Sequence, residues 1–107
     1  MCDIPLNGIA MKTTYLSLLT FTEAGIRNLA QSPQRAAAWR ERAEAGGVKV
    51  IAQLWTTGAY DGALLLEAEN EQKILRALAE LVAQGNVRTY SLRAFSAEEF
   101  QAVSRAS

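Results

Sequence analysis

A chain of 107 residues suffices for one domain with a modest core. Half of it is hydrophobic (50%) and 21% is charged, which excludes a disordered chain. Basic and acidic residues balance at 11 each, so no net field draws the chain toward nucleic acid or anionic lipid.

No apolar run approaches the roughly 20 residues that cross a bilayer. Met1 to Ala10 lack the positive start and apolar stretch of a signal peptide. A cytoplasmic protein with no nucleic-acid or membrane partner is expected. Histidine is absent, which removes His-based triads, the usual base near neutral pH and most zinc sites. The single cysteine, Cys2, cannot form an internal disulfide. Neither a metal site nor a cofactor is expected.

Residues 1–12, with Pro5, Gly8 and no periodicity, read as an N-terminal tail before a single domain over 13–107. From Thr13 to Phe21 the run TTYLSLLTF is rich in β-branched, aromatic and leucine residues and predicts a strand. Tyr15, Ser17, Leu19 and Phe21 share one of its faces, Thr14, Leu16, Leu18 and Thr20 the other. Thr22 then caps a helix that begins Glu23-Ala24, with Ile26 and Leu29 as a short apolar stripe. Ser32-Pro33 interrupts it, with Ser32 placed to cap a second piece that runs from Pro33 to about Ala45, anchored by Trp39. Gly46-Gly47 ends that piece.

A second strand spans Val48 to Trp55, with Val48, Val50, Ala52 and Leu54 on one face and Lys49, Ile51, Gln53 and Trp55 on the other. A glycine turn at Gly58 leads into a third strand from about Tyr60 to Ala68. Asn70 caps the next helix, whose Ile74, Leu75, Leu78, Leu81 and Val82 form an amphipathic stripe. Gly85-Asn86 stops it, and Val87 to Phe95 reads as a fourth strand. Ser96-Ala97-Glu98-Glu99 has capping-box spacing for a short final helix carrying Phe100 and Val103.

Strand, helix, strand, strand, helix, strand is the ferredoxin-like βαββαβ order, an α+β fold of four antiparallel strands with two helices on one face. The opposite face then carries Tyr15, Leu19, Phe21 and Trp55, or their alternates, depending on register. Either set leaves apolar surface wet in a monomer, so self-association into a homodimer or larger symmetric assembly is expected.

Three blocks, TFTEAGIRNLAQSPQRA from Thr20, WTTGAYDGALLLEA from Trp55 and GNVRTYSLRAFSAEEF from Gly85, resemble the GYD family in the right order. Gly58, Tyr60 and Asp61 match its signature, while Gly62, Ala63 and Glu69 depart from its usual residues. The resemblance implies a ferredoxin-like, dimeric α/β-barrel type of domain without an established biochemical role.

The candidate ligand-binding residues are Trp55, Tyr60, Asp61, Arg27 and Arg93, with Gly58 as a structural turn needing positive φ. In a regular strand Tyr60 and Asp61 point to opposite faces, which argues against a catalytic pair. Asp61 either pins the hairpin or stands at a pocket mouth. Arg27, Arg35 and Arg93 are the cations that the family's motifs single out, able to bind an anion or to form exposed ion pairs. The preferred reading is a non-catalytic, homo-oligomeric module that binds a small molecule or regulates a partner. The alternative is a cofactor-independent enzyme of the dimeric barrel type, similar to small monooxygenases, although the absence of histidine leaves it few acids and bases.

Overall fold

The computed structural model describes residues 12–105, so Cys2 and nearly all of the expected tail lie outside the described residues. In chain order the elements are β1 (Thr13–Phe21), α1 (Glu23–Arg27), a 3₁₀ turn (Leu29–Gln31), α2 (Ser32–Ala45), β2 (Lys49–Trp55), β3 (Gly62–Ala68), α3 (Glu71–Ala83), β4 (Val87–Ala94) and α4 (Ala97–Ser104). The four strands form one antiparallel sheet in the order β2-β3-β1-β4, the ferredoxin-like topology.

Local chemistry explains the element ends. The Thr22 side chain accepts from Gly25 N–H, Asn70 from Lys73 N–H, and Ser96 with Glu99 completes the capping box of α4. Gly47 and Gly85 take positive φ where α2 and α3 stop. Ser32 differs from the expectation. It lies inside α2 with Gln31 at the cap, and its hydroxyl is committed to a tryptophan described below.

The core is a sandwich of α2 and α3 on one face of the sheet. Trp39 and Ala43 from α2, and Ile74, Ala77 and Leu78 from α3, pack on Val50, Leu64, Leu66 and Ala68. Trp39 is buried, and its Nε1–H donates to the Ala77 carbonyl at 2.8 Å, which joins the two helices. Arg42 and Glu80 pair across the same helices. Of the α3 stripe, Ile74 and Leu78 are buried and Leu81 packs at the margin, while Leu75 and Val82 are exposed.

Register settles which side of the sheet stays open. Tyr15, Leu19 and the buried Ser17 lie under the helices, opposite Leu66, Gly62 and Leu64. The alternate set therefore faces away. A bulge between Val50 and Ala52 then shifts the alternation of β2, so Gln53 and Trp55 join the helix side while Ala52 and Leu54 turn outward. Two apolar rows cross the open face, Leu92-Leu16-Leu65-Ala52 and Tyr90-Leu18-Ala63-Leu54. Helix α4 has no buried residue, and Phe100 and Val103 are exposed. Among the described residues no helix is long and apolar enough to cross a membrane.

Candidate functional site

A cleft opens between the helix layer and the sheet where β1 ends and the β2–β3 connection begins. Leu19, Phe21, Leu64, Trp39, Ala36 and Leu81 form its apolar walls, around a partly open space of about 60 Å³. It adjoins a wider hollow of about 300 Å³ edged by Leu29, Pro33 and Thr56, with Phe21, Ser32, Trp55 and Asp61 common to both.

Asp61 sits at that junction because the turn delivers it there. Gly58 has φ +113, and the Thr56 hydroxyl donates to the Tyr60 carbonyl at 2.6 Å. Thr56 N–H donates to the Asp61 carbonyl at 2.9 Å, closing the loop. Asp61 N–H donates to the Leu19 carbonyl at 2.8 Å, and its Oδ2 accepts from Phe21 N–H at 2.9 Å. The side chain thus continues the β1–β3 ladder where strand pairing stops.

Other polar side chains around the cleft are tied to the fold in a similar way. Trp55 Nε1–H donates to Ser32 Oγ at 3.0 Å, fastening the end of β2 to the first turn of α2. The Gln53 amide donates to the Ala36 carbonyl at 3.2 Å. Arg35 spends Nη1 on the Asn28 carbonyl at 2.7 Å, and neither Arg35 nor Asp61 has an ion-pair partner among the described residues. Arg35 and Asp61 are the charged groups of the cleft wall.

The five candidate residues separate. Trp55 and Asp61 line the cleft. Tyr60 is exposed and packs edge-on against Tyr90 of the open face, ring centroids 5.7 Å apart. Arg27 is exposed and pairs with Glu23 at 3.7 Å. Arg93 lies opposite Tyr15, about 20 Å along β1 from the Phe21 end. There its guanidinium donates to the Ala94 carbonyl at 2.8 Å and lies 4.6 Å from the Phe95 ring centroid. Burial and the neighbouring Glu71 carboxylate raise the Tyr15 phenol above its ordinary value, and Arg93 opposes them. No cluster of three His, Cys, Asp or Glu placed to hold a metal occurs among the described residues.

Ser32, Gln53 and Phe21 line the cleft but were not among the residues expected to bind a ligand, Ser32 being read only as a helix cap. The bulge that aims Gln53 and Trp55 at the helices leaves no mark in the residue pattern, whereas Arg35 could be found as a cation of the first matched block.

The model of the GYD domain matches residues 15–103, nearly the whole described chain. The chain belongs to the GYD domain family. Among curated relatives, a Thermus thermophilus protein named "Glutamine synthetase and cystathionine beta-lyase binding protein" is 34% identical over 82 residues, covering 76% of this chain and 86% of that protein. No solved structure matches the chain. Within the GYD chain the signature residues divide, Asp61 going to the cleft and Tyr60 to the opposite side of the sheet.

Proposed function

We propose that this protein is a self-associating binding module that acts on other proteins, with the cleft as its small-molecule site. The observation that carries the reading is the open sheet face. Its two apolar rows are flanked by polar rows, Arg88 with Thr20 at one end and Thr14, Glu67 and Lys49 at the other. An apolar centre with a polar rim is the layout of a protein interface. Leu54 and Leu92 are 57% and 53% exposed, too much apolar surface to leave without cover.

A second copy of this chain is the favoured occupant, because a symmetric pairing covers the same apolar rows on both subunits at once. Four strands of about seven residues present a flat face of roughly 450 Å², about half of what a standard interface buries per partner. The uncovered apolar residues of α4 supply further contact when two copies meet. The printed name of the Thermus thermophilus relative supports protein targets, and glutamine synthetase and cystathionine β-lyase are the first to try. Binding is favoured over turnover because Asp61, the carboxylate of the cleft, is engaged by a backbone N–H and not by a side-chain acid or base.

Leu92→Glu tests the assembly directly. It places a carboxylate in the centre of one apolar row without touching the helix-side core. Light scattering should give an oligomer for the parent and a monomer for the variant, with the unfolding temperature of the monomer still well defined. A parent that is monomeric at micromolar concentration overturns the reading.

A further inference from the structure

We propose that the cleft recognises an apolar α-amino acid, with Arg35 taking its carboxylate and Asp61 its ammonium group. The inference deepens the reading of the cleft as a small-molecule site and rests on it. It starts from two opposite charges that share one small, otherwise apolar cleft and do not pair with each other. Arg35 is half-buried and uses Nη1 on the Asn28 carbonyl, which leaves Nε and Nη2 to bind. Asp61 uses Oδ2 on Phe21 N–H, which leaves Oδ1. Both groups are half-buried, so each keeps a free atom with which to take a partner of opposite charge.

The class of ligand follows from that pair of charges. A simple fatty acid satisfies Arg35 but sets its carboxylate in the same small cleft as Asp61. A simple amine satisfies Asp61 and meets Arg35 with like charge. A zwitterion answers both, and an α-amino acid, which carries the two charges on one α-carbon, is the smallest such ligand for two charged groups that line one cleft. The walls of Leu19, Trp39, Leu64 and Leu81 then take an aliphatic side chain. A polar or charged side chain finds no partner there.

Both tryptophans of the chain line the cleft, so their emission reports occupancy directly. The probes are L-leucine, 4-methylpentanoate (no ammonium), 3-methylbutylamine (no carboxylate) and glycine (no side chain). L-Leucine should shift the emission and raise the unfolding temperature at millimolar concentration, with each of the other three at least roughly tenfold weaker. Arg35→Gln should weaken leucine by about tenfold and leave the amine unweakened; Asp61→Asn, which keeps an acceptor for Phe21 N–H, should leave 4-methylpentanoate unweakened. If Asp61→Asn fails to fold, the probe series with Arg35→Gln carries the test alone. No response to leucine, or equal binding of leucine and an analogue, overturns the proposal. Subunit mass measured on the same samples shows separately whether the assembly stands.

Discussion

Asp61 is the residue on which hairpin, strand and cleft converge. Its carboxylate accepts from Phe21 N–H at 2.9 Å while its backbone N–H donates to Leu19. Asp61→Ala strands the Phe21 donor in a partly buried position and should cost about 1–3 kcal/mol in chemical denaturation. Asp61→Asn retains an acceptor and should cost less than half as much, so equal losses would contradict the hydrogen-bond account. Tyr15 supplies a second residue-scale expectation. Its folded pKa lies above the unfolded value of 10.0, so the folded chain holds a proton that the unfolded chain releases. Stability is complete below the unfolded value and falls as pH rises past it. Tyr15→Phe should therefore flatten the loss of stability as pH rises past about 10. An unchanged slope would show that burial and Glu71 do not govern this phenol.

At the scale of elements, α1 is held where the α3–β4 turn meets the end of β1. Thr22 N–H donates to the Asn86 carbonyl at 3.0 Å and the Thr22 hydroxyl to the Gly85 carbonyl at 2.6 Å. A Cβ on the buried Gly25 would stand 2.1 Å from the Asn86 oxygen, a backbone atom that cannot swing aside. Gly25→Ala should thus destabilise by about 1–3 kcal/mol despite the higher helix propensity of alanine. A gain in stability would mean that α1 is free to shift.

The same elements show what the residue pattern could and could not carry. Caps at Thr22, Asn70 and Ser96 were legible because their bonds are local, and β1 was legible because its whole length has one composition. The face of β1 was not. Both of its alternating sets are apolar, and the choice is made by long-range pairing with β3. The bulge after Val50 was equally silent, yet it brings Trp55 over Ser32 and turns Leu54 outward. Gly62, which departs from the family's usual residues, makes room for close approach, since a Cβ there would lie 3.0 Å from the Leu54 carbonyl and 3.2 Å from Leu19 Cδ1. Ferredoxin-like order was thus readable from local signals, while the cleft depends on contacts between distant segments.

For the whole molecule, two sides of one sheet do different work. The helix side encloses the core and the cleft; the open side presents Leu16, Leu18, Leu54, Leu65, Tyr90 and Leu92. The GYD signature spans both, because Asp61 turns inward and Tyr60 packs on Tyr90 outside. The cleft and the open face are therefore separated by the thickness of one sheet, through shared strands β1 and β3. The central claim is that the open face is buried against another copy of this chain. Hydroxyl-radical footprinting read by mass spectrometry tests it most directly, with the exposed Ile26 and Leu29 of the α1 region as internal references. At micromolar concentration Leu54, Tyr90 and Leu92 should be protected several-fold relative to the same residues in Leu92→Glu, position 92 apart. Reactivity of Leu54 and Tyr90 that is the same in parent and variant would contradict the account.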